Sequence, residues 1–290
     1  MDLDAIGTTL ADRYRLDALL GRGAVGCVYA ATDLALDRPV AVKVVRPELA
    51  ADAALVGRFV REAKIVAQLA ANPHVLTVYD LGFAEDGRPF IVTEHLRGRS
   101  LASVMRDKYR PARSWVLDAG RQVALALLDV HRRGITHRDV KPGNLFLVEA
   151  PGLPLLVKLI DFGLSHSPRF APDGTEPGSV AGTIRYLAPE VIDGEEPTPA
   201  ADVYAFGITL YELATGGYPY AASSAEELLA AHRQAAPAPF PEDESPFPET
   251  FRALVLQMLS KRRTDRPSAE VCLQDLRLAD RELDEARGNG

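Results

Sequence analysis

The chain has 290 residues, of which 47% are hydrophobic and 25% charged, and it carries a formal net charge of −7. This length suits one large domain or two small packed units, and the acidic balance argues against a nucleic-acid-binding surface, which needs a basic excess. Cys27 and Cys272 are far apart and belong to no CxxC or Cys/His cluster, so the sequence indicates neither a disulfide framework nor a zinc site.

The beginning of the sequence lacks the basic segment and apolar run that are typical of a secretory signal. No stretch approaches the roughly 18 uninterrupted apolar residues that would predict a membrane span. The two isolated cysteines suit a reducing interior. We therefore expect a cytoplasmic protein with no membrane segment in this chain and no nucleic-acid partner.

Five short runs, often β-branched and bounded by Gly, Pro or Asp, predict the strands of one small sheet. These runs are 16–20, 28–31, 40–45, 75–79 and 89–94. Between the third and fourth runs, apolar residues recur at helical spacing, namely Leu55, Phe59, Val66 and Leu69. The predicted order of the first lobe is strand, strand, strand, helix, strand, strand.

After Gly98 the sequence becomes rich in segments that have an apolar helical face. The predicted helices are 115–131, 203–215, 225–232, 251–259 and 268–283. Three stretches rich in Pro and Gly, 168–178, 193–199 and 237–248, are predicted to be loops. A helical second lobe therefore follows the sheet, which predicts the α+β class.

Gly21, Gly23 and Gly26 form a glycine-rich turn between two predicted strands. Glycines allow backbone N–H groups to approach phosphate oxygens closely, because no Cβ stands in the way. A dinucleotide-binding fold also uses GxGxxG, but its third glycine opens a helix, whereas Val28 here begins another strand. On this motif alone, a glycine-rich hairpin without a ligand is an equally good interpretation.

Lys43 is the single charge in the apolar run 40–45. A lysine on the solvent face of a half-buried strand would be the ordinary explanation. However, Glu62 is the only charge on the helical face that Leu55 and Phe59 share, and a carboxylate in an apolar stripe is costly unless it is paired. Lys43 is the available partner, so we predict an ion pair between Lys43 and Glu62.

The strongest signal is a polar set between residues 135 and 147 that contains Asp139, Lys141 and Asn144. Apolar, strand-like segments flank this set, and folding alone gives little reason for such residues at this spacing. A second apolar run then ends at Asp161. The side-chain oxygens of Asn144 and Asp161 suit Mg²⁺, which prefers oxygen ligands shared with nucleotide phosphates.

Five motifs occur in a fixed order: the glycine-rich turn, Val-Ala-Val-Lys, His-Arg-Asp, Asp-Phe-Gly and Ala-Pro-Glu. With these motifs the chain resembles the protein kinase family, and it is most similar to the bacterial, eukaryotic-like Ser/Thr branch. The resemblance spans 14–278 and implies a two-lobed α+β kinase fold. Residues 14–94 would form a small antiparallel sheet lobe with one helix, and 98–278 a larger helical lobe. Residues 1–13 would be an N-terminal extension and 279–290 a charged tail.

The resemblance also implies catalytic roles. Lys43 would contact the α- and β-phosphates of ATP while it is paired with Glu62. Asn144 and Asp161 would hold Mg²⁺, with Mn²⁺ as the alternative cation, and Asp139 would accept or orient the proton of the attacking hydroxyl.

Two positions favour serine and threonine over tyrosine as acceptors. Lys141 resembles the lysine that contacts the γ-phosphate in Ser/Thr-type loops. Thr183, which precedes Tyr186, resembles the threonine that contacts the catalytic aspartate and lysine in Ser/Thr kinases.

Further residues resemble the scaffold of the family. Asp202 would hold the catalytic loop through backbone hydrogen bonds, although a simple helix cap is the alternative explanation. Arg266 would pair with Glu190. The remaining residues with implied structural roles are His137, Phe162 and Gly163.

The segment that would join the lobes is implied to hydrogen-bond the adenine base through its backbone, with Thr93 at the rear of the pocket. The full set of implied nucleotide-binding residues is Leu20, Gly21, Gly23, Gly26, Val28, Ala41, Lys43, Thr93, Glu94, Leu96 and Phe146.

Arg138 directly precedes Asp139, and in kinases this pair accompanies control by phosphorylation of the loop that corresponds to 164–187. A guanidinium can bind a phosphate through two hydrogen bonds and so order such a loop. The candidate acceptors are Ser165, Ser167, Thr175 and Ser179. We hypothesise that the enzyme autophosphorylates this loop in trans, which requires self-association.

Two alternatives belong to other classes. A pseudokinase would be favoured by loss of Lys43, Asp139 or Asp161, and a small-molecule phosphotransferase by absence of the Ala-Pro-Glu segment, Asp202 and Arg266. All of these residues are present. The sequence therefore predicts an ATP-dependent protein kinase whose partners are protein substrates with Ser or Thr acceptors.

Overall fold

The computed structural model describes residues 6–107, 111–149, 152, 155–162, 184–241 and 247–288. These residues fall into two compact units. The first contains the described residues up to Arg97 together with Phe162, and the second contains those from Gly98 to Asp161 and from Ile184 onward. The two units differ in composition, since the first is dominated by a sheet and the second by helices.

The first unit is built on a six-stranded sheet that is antiparallel throughout. Its strands are β1 (Thr9–Leu10), β2 (Tyr14–Arg22), β3 (Gly26–Asp33), β4 (Arg38–Val45), β5 (Val78–Phe83) and β6 (Pro89–Glu94). Their spatial order is β1-β2-β3-β4-β6-β5. Because side chains alternate along a strand, Val42 and Val44 enter one buried cluster while Val45 enters another.

Four of the five predicted strands lie within β2, β3, β4 and β6, but the prediction of 75–79 is displaced from β5. Val75 is buried in the turn before the strand, where its N–H donates to the carbonyl of Asn72 at 3.2 Å. The register of β5 is set by its pairing with β6, which runs from Val78 opposite Thr93 to Phe83 opposite Pro89. The predicted run 75–79 therefore begins before β5, so the burial of its first residue does not indicate where the strand starts.

One helix, α1 (Ala53–Ala67), packs on the sheet of the first unit. It begins after Asp52, whose carboxylate accepts hydrogen bonds from the backbone N–H groups of Ala54 and Leu55, as an N-cap residue does. Leu55, Phe59 and Ala63 recur every four residues and form one cluster with Val25, Val45 and Ile91. This cluster covers the second face of the sheet.

Asp33, at the end of β3, is a fully buried carboxylate held by arginines. It accepts hydrogen bonds from Nε of Arg13 at 2.8 Å and from Nη2 at 2.9 Å, and Nε of Arg38 lies 3.5 Å away. The hydrogen bond from Arg13 is the largest influence on this carboxyl, and it holds the pKa of Asp33 below its usual value of 3.8.

We expect Asp33→Asn to lower the melting temperature at neutral pH and to lower it less in acid. Because the native pKa is depressed, the stabilisation by this carboxylate is complete above about pH 4 and is lost as pH falls through the native pKa. Thermal unfolding of the wild-type and Asp33→Asn proteins between pH 7 and pH 3 measures the difference in their melting temperatures. A difference that stays constant over this range would contradict the depressed pKa of Asp33.

The second unit is mainly helical. Its helices are α2 (Leu101–Arg106), α3 (Arg113–Arg132), α4 (Pro189–Ile192), α5 (Pro199–Thr215), α6 (Ala225–Gln234), α7 (Glu249–Met258) and α8 (Ala269–Gly288). Every residue of α5 from Ala201 to Leu213 is buried, so this helix forms the centre of the unit. A Cβ at Gly207 would lie 2.8 Å from Cβ of Met258, which shows how closely α5 and α7 approach. None of the described helices has an apolar run long enough to cross a bilayer.

The ends of these helices agree with the sequence in some places and differ in others. The predicted loop 193–199 lies between the end of α4 at Ile192 and the start of α5 at Pro199. The predicted domain end at 278 lies within α8, which continues unbroken to Gly288 and buries Ala279 and Leu283. The predicted loop 168–178 is outside the described residues.

A small antiparallel sheet in the second unit, of order β7-β8-β9, was not predicted as a sheet. Its strands are β7 (Gly98–Ser100), β8 (Leu145–Val148) and β9 (Leu156–Leu159). Gln122 of α3 ties β9 down, since its side chain accepts from the N–H of Val157 at 2.7 Å and donates to the carbonyl of Leu155 at 2.9 Å. The loop that contains Asp139 precedes β8, and Asp161 follows β9.

Candidate active site

Asp202, in the first turn of α5, anchors the loop that carries Asp139. Its buried carboxylate accepts the backbone N–H of His137 at 2.7 Å and that of Arg138 at 2.8 Å. Nε2 of His131 lies 2.9 Å from the same carboxylate, a contact that was not predicted. These bonds fix the loop rather than cap the helix, whose N-cap residue is Thr198.

His137 is fully buried and links this loop to the end of β9. Its Nε2 lies 3.1 Å from the carbonyl oxygen of Ile160, and its Nδ1 accepts the N–H of Asp139 at 3.3 Å. Because a carbonyl can only accept, the ring proton is on Nε2. Burial lowers the pKa of His137, so the ring is neutral at pH 7 and acts as a structural tie.

Asp139 is 8% exposed, and both of its carboxylate oxygens are held. Oδ1 lies 2.8 Å from Nζ of Lys141, and Oδ2 accepts the side-chain N–H of Asn144 at 2.8 Å. The same amide nitrogen donates to the backbone carbonyl of Asp139 at 2.8 Å. Since both partners of Asn144 are acceptors, its amide nitrogen faces Asp139 and its oxygen points elsewhere.

Asp161 follows β9 in a left-handed backbone conformation, with φ of 54°, and its side chain is exposed. The N–H of Ile160 donates to the carbonyl of Asn144 at 2.9 Å, which joins the two loops next to these residues. A carboxylate and an amide oxygen form a donor set that fits a hard divalent cation. Within the described ranges, no group of three or more His, Cys, Asp and Glu could hold a metal.

A cavity in the second unit places Asp139 beside the segment that follows residue 183. Its lining includes Arg138, Asp139, Tyr186 and Leu187. The hydroxyl of Tyr186 donates to Oε2 of Glu212 at 2.6 Å, and burial raises the pKa of Glu212. Glu212 was not among the predicted site residues, although it is the only charge in the apolar helical run 203–215, the same kind of signal that singled out Glu62.

The glycine-rich turn of the first unit is closed by a hydrogen bond from the N–H of Gly23 to the carbonyl of Gly26 at 2.8 Å. A Cβ at Gly26 would lie 2.3 Å from the carbonyl oxygen of Val44, so this glycine allows β3 to pack on β4. A Cβ at Gly21 would meet nothing within 4 Å, and one at Gly23 would meet only a carbonyl at 3.5 Å. Packing does not require Gly21 or Gly23, which suits a surface that a phosphate approaches.

Lys43 and Glu62 both lie in the first unit. Lys43 is half-buried in the centre of the sheet, opposite Val28 of β3 and Ile91 of β6. Glu62 is half-buried on α1, next to Ala63 of the helix face that covers the sheet. The predicted pairing between Lys43 and Glu62 stays a prediction.

The implied adenine-binding residues are divided between the units. Ala41 and Thr93 are buried and face each other in the register of β4 and β6. Glu94 is engaged within its own unit, because its N–H donates to the carbonyl of Thr77 at 3.0 Å and its carboxylate accepts the N–H of Thr77 at 2.8 Å. Leu20 is 53% exposed, whereas Val28, Leu96 and, in the second unit, Phe146 are half-buried.

Glu190 and Arg266 form a buried ion pair with two hydrogen bonds, at 2.7 and 2.8 Å. The guanidinium also donates to the carbonyls of Ala200, Ser260 and Lys261, at 3.0, 2.8 and 3.0 Å. All five N–H groups of Arg266 therefore have acceptors. This pair fastens α4, just after the segment at residue 186, to the region before α8.

Several predicted residues lie outside the described ranges, so the structure says nothing of them. They are Gly163, Ser165, Ser167, Thr175, Ser179 and Thr183.

The fold and this loop architecture are those of a phosphotransferase domain of the kinase type. A family model described as protein kinase domain matches residues 14–276. The chain therefore belongs to the protein kinase family, as the order of its motifs predicted. Membership implies ATP as the phosphoryl donor and a divalent metal ion as cofactor.

Known bacterial kinases resemble this chain over most of its length. Serine/threonine-protein kinase pkn3 of Myxococcus xanthus is 37% identical over 290 residues, which cover 96% of this chain and 52% of the relative. PknA of Mycobacterium tuberculosis is 38% identical over 254 residues, or 86% and 57% of the two chains. This chain thus spans about half the length of these curated relatives. Their names confirm the predicted serine/threonine branch.

A solved structure confirms the predicted two-lobed kinase fold. A double mutant of the Mycobacterium tuberculosis PknI kinase domain matches this chain with a TM-score of 0.71 and 26% identity. The match covers 95% of this chain and 98% of that domain.

Proposed function

We propose that this chain is an active catalytic domain that transfers the γ-phosphoryl group of ATP to serine and threonine hydroxyls of protein substrates. The observation that carries the proposal is the arrangement around Asp139, where Lys141 and Asn144 hold both carboxylate oxygens. A carboxylate fixed in this way can orient an incoming hydroxyl and accept its proton.

We propose Mg²⁺ as the metal, with Mn²⁺ as the alternative, held by Asn144 and Asp161. A bound divalent cation bridges phosphate oxygens and neutralises the charge that develops during transfer. Asn144 suits this role because its amide nitrogen is occupied by Asp139, which leaves its oxygen to face a cation. Lys43, paired with Glu62, would hold the α- and β-phosphates from the first unit.

For the rest of the nucleotide, we propose that the backbone of Gly21 and Gly23 binds the phosphates and that Ala41 and Thr93 line the base. The open space beside Gly21 and Gly23 supports the first assignment, and the adjacency of Ala41 and Thr93 supports the second.

We further propose that the domain autophosphorylates in trans within 164–187, with Arg138 as the phosphate partner. Arg138 is exposed and lines the cavity that Asp139 shares, so its guanidinium is accessible to an ordered loop. Transfer in trans needs contact between two copies of the chain. The cytoplasm is the proposed location, because the reaction consumes ATP.

The test is incubation of the purified chain with γ-labelled ATP, Mg²⁺ and a generic basic protein, followed by phosphoamino-acid analysis. We expect label on serine and threonine of the acceptor, and none when Lys43→Met replaces the wild-type chain. Phosphotyrosine as the main product would overturn the proposed acceptor. Binding of ATP without transfer would favour a pseudokinase. Label on small molecules alone would favour a small-molecule phosphotransferase.

A second arm tests regulation and metal choice. Wild-type chain is mixed with Asp139→Asn chain of distinguishable mass, and the inactive chain is analysed by mass spectrometry. We expect phosphate within 164–187 of the inactive chain, and its absence there would contradict phosphorylation in trans. Rates with Mg²⁺ and Mn²⁺ at equal concentration decide between the cations.

A further inference from the structure

A chain of polar groups crosses the interior of the second unit, away from the residues that would hold nucleotide. At its centre is His232 of α6, which is fully buried. Nδ1 of His232 lies 2.8 Å from the hydroxyl of Tyr204, and Nε2 lies 2.8 Å from that of Tyr218. The hydroxyl of Tyr204 is 3.1 Å from that of Tyr220, which accepts from Nζ of Lys261 at 3.0 Å.

The backbone carbonyl at one end of this hydrogen-bond chain determines which atom donates in each bond. The hydroxyl of Tyr218 contacts the backbone carbonyl of Arg185, which can only accept, so Tyr218 donates there. The oxygen of Tyr218 then accepts from Nε2–H of His232, and Nδ1 of the neutral ring accepts from Tyr204. Burial, followed by the positive charge of Lys261, lowers the pKa of His232 to about 4, so the ring is neutral at pH 7.

The chain ends on the backbone segment that borders Asp139. The guanidinium of Arg185 lies 4.2 Å from the ring centre of Tyr218 and donates to Glu212 at 3.1 Å. The next residue, Tyr186, donates to the other oxygen of Glu212 and lines the cavity that contains Asp139. Tyr218 and Glu212 therefore hold in place the segment at Arg185 and Tyr186, which forms one wall of this cavity.

We propose that Tyr218 and His232 are positioning residues for the protein substrate. They hold the carbonyl of Arg185, and with it the wall beside Asp139 along which an acceptor segment must lie to present its hydroxyl. The inference rests on the proposed role of Asp139. None of the residues proposed to hold ATP belongs to this chain of hydrogen bonds. Loss of these hydrogen bonds therefore weakens binding of the protein acceptor and leaves binding of the nucleotide unchanged.

Tyr218→Phe tests the inference, because it keeps the ring that faces Arg185 and removes only the hydroxyl. Tyr211→Phe is the matched control: Tyr211 is buried, lies on α5, and donates to the carbonyl of Pro239 at 3.2 Å, outside the hydrogen-bond chain of Tyr218. We expect Tyr218→Phe to raise the KM for the protein acceptor about tenfold, the size expected for one hydrogen bond. We expect kcat and the KM for ATP to change less than about twofold in either variant.

A conservative substitution and a spectrum complete the test. His232→Gln retains an amide donor towards Tyr218, so the acceptor KM should stay near the wild-type value. The ¹⁵N shifts of the His232 ring in the wild-type protein should show the Nε2–H tautomer. A proton on Nδ1 instead would overturn the donor and acceptor assignments of the hydrogen-bond chain. An unchanged acceptor KM in Tyr218→Phe, or an equal rise in Tyr211→Phe, would overturn the inference. An inactive wild-type chain would instead count against the proposed function, while the tautomer would still be readable.

Discussion

Asp139→Asn is expected to reduce the rate of phosphoryl transfer about 10²–10⁴-fold, the usual contribution of a positioned general base. The asparagine cannot accept the proton of the attacking hydroxyl. It also cannot serve as an acceptor on both sides, so its contact with either Nζ of Lys141 or the amide nitrogen of Asn144 becomes a contact between two donors. The loss combines removal of the base with a looser loop.

The rate is measured from initial velocities at saturating ATP and acceptor, beside the melting temperature of each chain. Asp193→Asn is the control, because Asp193 is a 55% exposed carboxylate whose salt bridge to Arg233, at 2.6 Å, lies on the surface. Exposed pairs of this kind contribute about 0–1 kcal/mol, so activity and stability should stay close to wild type. Equal rates for Asp139→Asn and wild type would remove Asp139 from the mechanism.

Arg266→Ala is expected to lower the free energy of unfolding by about 3–5 kcal/mol, because it leaves the buried carboxylate of Glu190 without its partner. Three backbone carbonyls also lose their hydrogen-bond donor. For this reason, a double variant with apolar residues at both positions should recover only part of the loss. Urea unfolding of the single and double variants measures these differences.

The chain contains its own control for this experiment. Arg263 pairs with Glu195 at 2.8 Å and so joins nearly the same two regions, but both side chains are about half exposed, at 49% and 53%. Arg263→Ala should cost only about 0–1 kcal/mol. If the two arginine variants were equally destabilised, burial would not be the reason for the effect.

Local patterns predicted the parts of the fold that neighbouring residues determine. The run 89–94 coincides with β6 because every residue from Pro89 to Thr93 is buried and the hairpin turn before it is short. The helical spacing of Leu55 and Phe59 predicted α1, because only one face of this helix packs on the sheet and that face repeats regularly along the sequence. The order of the motifs, which no single element provides, identified the family.

Contacts between distant residues could not be predicted in this way. His232 appears in the sequence as an isolated histidine, yet Tyr204 and Tyr218, 28 and 14 residues away, meet both of its nitrogens. Glu212 had a local signal, but its partner Tyr186 lies 26 residues earlier. The choice between Asp202 as a helix cap and as an anchor of the loop likewise depended on a contact between residues that are 65 positions apart.

The backbone at Arg138 and Asp161 restricts how these positions can be studied by mutation. Both residues have positive φ, 70° and 54°, in a region that asparagine and aspartate tolerate better than other side chains and that β-branched residues avoid. A residue held there carries about 1–3 kcal/mol of strain, and a branched substitute would increase it. Asp161→Asn therefore isolates the lost charge, whereas Asp161→Val would mix chemistry with a distorted main chain.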